Sequence, residues 1–214
     1  MLPPMPAYLL LGVTFAFAAA VQPGPLQAYL VSRTLSHGWR RALPAAFSPL
    51  VSDGPIIVLA LLVLSRVPAG FERGLRLAGG AFLLYLAWRA AHTWRAWTPG
   101  TVAGGASGRE SLVGATVVNL LNPGPYLGWG LVMGPLLLRA WRESPAHGVA
   151  LLAAFYATLV SGMVATVLLF AGARSLGPRV NRALVGLSAL ALAAFGVWQL
   201  WMGAAAGASG HPAG

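Results

Sequence analysis

Residues 111–138 read SLVGATVVNLLNPGPYLGWGLVMGPLLL, and no side chain in this stretch carries a charge. A helix needs about 20 mostly apolar residues to cross a bilayer core of about 30 Å, so this stretch is long enough to span it. Its middle contains Asn122-Pro123-Gly124-Pro125. A proline inside a helix removes one backbone hydrogen bond and clashes with the preceding turn. The sequence therefore predicts a membrane-spanning helix that is broken near its centre.

The composition of the whole chain agrees with a membrane protein. Of its 214 residues, 57% are hydrophobic and 8% are charged, whereas soluble domains carry about a quarter charged residues. An aqueous fold of this size could not bury so much apolar surface in one core, which excludes a soluble enzyme. The absence of cysteine excludes disulfides and thiolate metal sites. We expect an all-α polytopic membrane protein.

Six stretches satisfy the length and apolarity of a span: 7–30, 43–65, 74–93, 111–138, 148–172 and 183–203. A signal peptide is an alternative reading of the first, but residues 1–32 lack the basic n-region that it requires. The connections after the first, third and fifth stretches, counted with Arg89 at the adjoining span end, carry nine arginines, and the other two, counted with Arg76, carry five. Because basic residues are retained in the cytoplasm, this bias places both termini outside it.

The two halves of the chain match each other in order. Gln22-Pro23-Gly24-Pro25 corresponds to residues 122–125, and FSPLVSDGPIIVL at 47–59 corresponds to YATLVSGMVATVL at 156–168. The matches predict two three-helix repeats at 1–97 and 111–203, a Gly-rich linker at 98–110 and a disordered tail at 204–214. Three spans are an odd number, so the second repeat must be inverted, a construction typical of secondary transporters.

The two broken helices, 1 and 4, are the predicted substrate site. Broken helices offer free carbonyls to an ammonium group and a half-helix N-terminus to a carboxylate, so they suit a zwitterion. Simple kinks are the alternative, since proline and glycine are common in membrane helices. The predicted substrate-binding residues are Gln22, Pro23, Gly24, Pro25, Asn119, Asn122, Pro123, Gly124, Pro125 and Tyr126.

Asp53 lies in the middle of the second apolar stretch, in Ser52-Asp53-Gly54-Pro55. An ionised Asp at a helix centre costs about 2.5–3.5 kcal/mol to insert, and intramembrane acids usually mark transport paths. The functional interpretation of Asp53 is a proton site or a site for a substrate ammonium group, and we predict that it carries the coupling proton; a neutral Asp bonded to a neighbouring helix is the alternative. The second repeat has Gly162 at this position, so the acid occurs once.

The sequence contains no nucleotide-binding motif and no pattern of metal ligands, so we expect no cofactor and no bound metal, and transport driven by an ion gradient. A divalent metal-cation exporter is the alternative function, although it would need several deep carboxylates. A lipid-modifying enzyme would need clustered acid–base residues. A structural scaffold would leave the two broken helices unexplained.

Several of these motifs resemble the LysE-type amino-acid exporter family. The resemblance rests on the first Pro-Gly-Pro, the HGWRR loop at 37–41, Asp53-Gly54, GGAFLLYLAWR at 79–89, and the Asn-Pro entry of span four. It covers about residues 7–203. The resemblance implies a proton-coupled secondary exporter of amino acids or related metabolites in a bacterial inner membrane, and it places function at Pro23 to Pro25, Asp53 and Asn122-Pro123.

Overall fold

A computed structural model describes residues 5–63, 69–95, 107–173 and 176–208. Within these residues the regular structure is entirely helical, which confirms the all-α prediction. Most of the predicted linker at 98–110 lies outside the described residues. Residues 108–110 of that linker belong to the next helix, which Ser107 caps by accepting a hydrogen bond from the Glu110 N–H over 3.1 Å.

The described helices, in chain order, are α1 (Met5–Val21), α2 (Pro25–His37), α3 (Trp39–Ala42), α4 (Ser48–Val63), α5 (Ala69–Arg95), α6 (Gly108–Leu120), α7 (Pro123–Gly128), α8 (Gly134–Glu143), α9 (Pro145–Ala173) and α10 (Pro178–Ala208). A 3₁₀ segment (Leu43–Phe47) joins α3 to α4, and a π-helical turn (Trp129–Met133) joins α7 to α8. Helix α10 extends past 203 into the predicted tail, and 209–214 lie outside the described residues.

Among the described residues, three helices are long and apolar enough to cross a membrane: Trp39–Ala60, Pro145–Ala173 and Arg179–Ala205. The pair α1 and α2, bent by 61°, makes a fourth if it forms one span. The stretch 111–138 is divided among α6, α7, the π-helical turn and α8, each of them shorter than a bilayer. A polytopic membrane protein is therefore supported, and six spans in an inverted repeat stay a prediction.

The helices pack chiefly in three groups: α5 against α10, α1 against α9, and α4 against α6 and α7. Glycine permits the closest approaches. A Cβ added at Gly80 would lie 2.8 Å from the carbonyl oxygen of Gly196, and one at Gly196 would lie 3.0 Å from that of Gly80. The backbones of α5 and α10 therefore touch where they cross, which is how membrane helices commonly associate.

The outer surface carries many large apolar side chains. Leu10, Phe17, Leu131, Leu169 and Leu190 are all more than half exposed. An apolar exterior on this scale is unfavourable in water and marks a surface that contacts a membrane or a partner. Together with the length of α9 and α10, it supports a location in lipid.

One assignment of the sequence analysis is corrected by the fold. Arg33 was counted with the first connecting loop, but it lies within α2, one turn before the helix ends, and its side chain is 10% exposed. Its charge is accommodated there because the guanidinium lies over the ring of Tyr29 at 5.7 Å and donates a hydrogen bond to Ser111 of α6. Arg33 is therefore an interior residue.

Candidate functional site

Asp53 is at the centre of a buried hydrogen-bond network. The residue is 3% exposed and lies in α4. The side-chain amide of Asn119, at the end of α6, donates to Oδ1 over 3.0 Å and to the Ser52 hydroxyl over 2.7 Å. The Trp129 indole N–H and the Tyr156 hydroxyl each donate to Oδ2 over 3.3 Å. Side chains from three other helical segments therefore converge on one carboxyl group.

Three aromatic rings form one wall of this site. Trp129 meets the edge of Phe155 with 5.3 Å between ring centroids, and its plane lies 27° from that of Tyr156 at 6.3 Å. Phe155 and Tyr156 are neighbours in α9, and their rings are nearly perpendicular at 5.2 Å. The rings fix the two donors to Oδ2 and exclude water from that side of Asp53.

The second helix break lies next to Asp53. Asn119 precedes it, and Trp129 follows it after α7. Asn122 caps α7 by accepting a hydrogen bond from the Gly124 N–H over 3.1 Å. The Tyr126 hydroxyl donates to the carbonyl of Leu120 over 2.9 Å, so it satisfies one of the backbone groups at the end of α6.

The first break is constructed in a similar way. Gly24 is extended, and Pro25 occupies the first turn of α2, where a missing N–H costs little. The Gln27 side-chain amide donates to the carbonyl of Ala19 over 3.0 Å and to that of Ala20 over 3.4 Å. The carbonyl of Ala19, which Pro23 cannot bond because it lacks an N–H, therefore has a side-chain partner. Gln22 and Pro23 are exposed in this structure, whereas Pro25 is buried.

Equivalent positions of the two repeats share one kind of contact at the breaks and differ at Asp53 and Gly162. Alignment of Gln22 with Asn122 pairs Ala20 with Leu120, and both carbonyls accept a hydrogen bond from a side chain beyond the break. Gly162 is the counterpart of Asp53, and a Cβ placed there would lie 2.6 Å from the Cβ of Ala20. The polar contact of α4 with α6 is thus replaced by tight apolar packing of α9 against α1.

Helix α9 touches both breaks near its own midpoint. Tyr156 reaches Asp53 beside the second break, and Gly162 packs against Ala20 beside the first. A rise of 1.5 Å per residue separates these two positions by about 9 Å along the helix. Residues beside the two breaks therefore contact α9 about 9 Å apart, on either side of its midpoint.

A cavity of about 480 Å³ opens beside α6, among α2, α5 and α10. Its charged lining consists of Arg33, Arg89, Arg109 and Glu110, with His37 at its edge. Gly114 lies on its wall, and Asn119 follows about 8 Å further along the same helix. The wall of the cavity at Gly114 therefore lies about 8 Å along α6 from the residue that bonds Asp53.

A polar cluster lies at the other end of the molecule. The Tyr8 hydroxyl donates to Glu143 over 2.6 Å, and Arg139 Nε lies 3.1 Å from the same carboxylate. His147 Nδ1 lies 3.7 Å from Glu143, and its ring stacks on Tyr8 at 5.0 Å. The start of α1 is thereby fixed to the junction of α8 and α9.

The structure brings together only some of the predicted site residues. Asp53 and Asn119 are in direct contact, whereas Asn122 and Tyr126 contact the backbone at the second break. Tyr156 is not among the residues predicted from the sequence, where its place in the repeat is the only sign of a role. Among the described residues, no three His, Asp or Glu side chains lie together as metal ligands.

Comparison with known proteins adds a family match. Residues 17–203 match the family described as LysE type translocator. The chemotactic transduction protein ChpE of Pseudomonas aeruginosa is 33% identical over 132 residues, which are 59% of this chain and 63% of that protein. The match thus spans less than two thirds of the length of this relative. No solved structure matches the chain.

Proposed function

The chain belongs to the LysE type translocator family, and from this premise we propose that it exports amino acids or related small zwitterionic metabolites in exchange for protons. The observation that carries the proposal is Asp53, a buried carboxyl group in an apolar helix with donors from α6, the π-helical turn and α9. Intramembrane acids in such positions are characteristic of proton relays.

The chemistry of the donors suits a group that gains and loses a proton. The Asn119 amide and the Trp129 indole can only donate through these nitrogens, so they favour the ionised carboxylate. The Tyr156 hydroxyl can donate to the carboxylate or accept from the carboxylic acid. A proton on Oδ2 would weaken the Trp129 bond and reverse the Tyr156 bond. Proton binding would therefore change how α4 is held against its neighbours.

The helix packing supports an inverted repeat of six spans. The predicted spans one and five are in contact through α1 and α9, and spans four and two are in contact through α6 and α4. These two pairs exchange under the repeat alignment, and the pair of spans three and six, α5 and α10, maps onto itself. Two-fold pseudosymmetry between the repeats requires this pattern, and three spans in each repeat would put its axis in the membrane plane.

We place the substrate between the two breaks during transport by alternating access. The proposed lining is residues 22–25, with Asn119, residues 122–125 and Tyr126. Residues beside the two breaks contact α9 about 9 Å apart, on either side of its midpoint, which supports one shared site near mid-membrane. The arginine bias puts the cavity beside Arg33 on the cytoplasmic side of the inner membrane and both termini outside the cytoplasm.

Reconstitution tests this function. The purified protein is reconstituted in vesicles that enclose the pH dye pyranine. The twenty amino acids and the ions Mg²⁺, Mn²⁺, Zn²⁺ and Ca²⁺ are then added one at a time. We expect at least one amino acid to move protons across the membrane in vesicles that contain the protein. Proton movement in response to a metal ion, but in response to none of the amino acids, would support the metal-cation exporter instead.

A further inference from the structure

We propose that the cavity among α2, α5, α6 and α10 binds the carboxylate of the substrate, with Arg33 as the residue that receives it. The inference rests on the proposed function, because it assigns this cavity as the site where substrate loads from the cytoplasm. Its volume of about 480 Å³ lies in the range of small-molecule sites, which is about 300–1,000 Å³.

Arg33 is the first reason. Its side chain is 10% exposed and lines the cavity, and its Nε donates to the Ser111 hydroxyl over 3.2 Å. The terminal nitrogen Nη2 of Arg33 lies 4.0 Å from Oε2 of Glu110, whose side chain is 54% exposed. Arg33 and Glu110 therefore form a long ion pair, but the distance is too long for a direct hydrogen bond. A buried guanidinium is costly unless it is paired, and a carboxylate can engage it through two parallel hydrogen bonds.

Ser36 is the second and independent reason. It lies three residues after Arg33, and so on the same face of α2, and it lines the same cavity. The residue is 5% exposed, and among the described residues none hydrogen-bonds its hydroxyl. A buried hydroxyl without a partner costs free energy. A carboxylate bound by Arg33 would supply an acceptor for it.

The remaining walls suit a small amino acid. Arg89 and Arg109 add positive charge, and Arg89 packs over the ring of Tyr85 at 6.0 Å. Phe82 and Leu86, on the same helix as Arg89, add apolar surface to the lining. A ligand with a carboxylate at one end and a short apolar body fits this distribution, and a divalent cation does not.

Binding of a matched pair of ligands tests the assignment. The probes are L-leucine and L-leucinamide, which differ at the carboxylate, together with the other amino acids, all measured on the full chain in phosphatidylcholine nanodiscs. We expect at least one amino acid to bind and its amide to bind at least tenfold more weakly. Equal binding of acid and amide, or binding of no carboxylate, would overturn the proposal.

The variants then locate the site. Arg33→Gln should weaken binding of the amino acid at least tenfold, and Ser36→Ala should weaken it severalfold. Arg40→Gln is the matched control, because Arg40 is an exposed arginine near the same end of the molecule and does not line the cavity. It should change affinity less than twofold. If Arg33→Gln does not fold, Arg33→Lys retains the charge but not the planar fork, and should still weaken binding.

Two further outcomes separate this site from its rivals. A folded Arg33 variant could bind the amino acid with wild-type affinity and lose a bound phosphatidylglycerol, as detected by native mass spectrometry. That result would assign the cavity to a lipid headgroup and overturn the proposal. Arg33-dependent binding without proton movement would retain this site and refute proton coupling. The two proposals can therefore fail separately.

Discussion

The Asn119 side-chain amide donates a hydrogen bond of 3.0 Å to Oδ1 of Asp53. This bond joins α4 to the last turn of α6, immediately before the second helix break. The acid therefore contacts the segment at which the chain leaves helical geometry. We therefore expect a change in the charge of Asp53 to alter the strength of the bond that holds this segment.

The coupling of these two residues can be measured with a double-mutant cycle. Asn119→Leu should destabilise the protein by about 1–3 kcal/mol, because the buried Asp53 loses a donor. In the background of Asp53→Leu, the same substitution should cost clearly less, since the partner is gone. Thermal unfolding in detergent measures the stability of the wild type, the two single variants and the double variant. Additive effects would contradict direct coupling.

The contact of α9 with α1 gives a second prediction. Gly162→Ala should destabilise the protein by about 1–3 kcal/mol, because the new methyl group meets the Cβ of Ala20 at 2.6 Å. Gly172→Ala, in the same helix, is the control: a Cβ there meets no atom within 4 Å. It should be neutral or slightly stabilising. Equal effects of the two substitutions would contradict the packing.

The Tyr8–Glu143 contact predicts an acid-dependent stability. The hydrogen bond from Tyr8, with further contributions from Arg139 and His147, lowers the pKa of Glu143 below its usual value of 4.5. A lowered pKa contributes stability above pH 4.5 that is lost as the pH falls through the lowered value. Tyr8→Phe should reduce this dependence in unfolding measured between pH 3 and 7. An unchanged pH profile would show that Tyr8 does not stabilise the ionised carboxylate.

The sequence predicts the features that depend on local chemistry. Proline geometry locates both breaks, and the cost of a charge in an apolar stretch singles out Asp53. Hydropathy assigned Arg33 to a loop, because composition alone does not distinguish an arginine in a loop from an arginine buried near the end of a helix. Tyr156 was missed because its contact with Asp53 joins residues 103 positions apart. Such contacts arise from tertiary packing, which periodicity does not encode.

The most direct test of the central claim compares Asp53→Asn with the wild type in pyranine-loaded vesicles. The substrate is the amino acid that the wild type exchanges for protons, and Glu143→Gln is the control for loss of an acid elsewhere. Asp53→Asn should still exchange internal for external substrate but should lose transport driven by a pH gradient, because the amide cannot carry a proton. Undiminished pH-driven transport in Asp53→Asn would contradict the account.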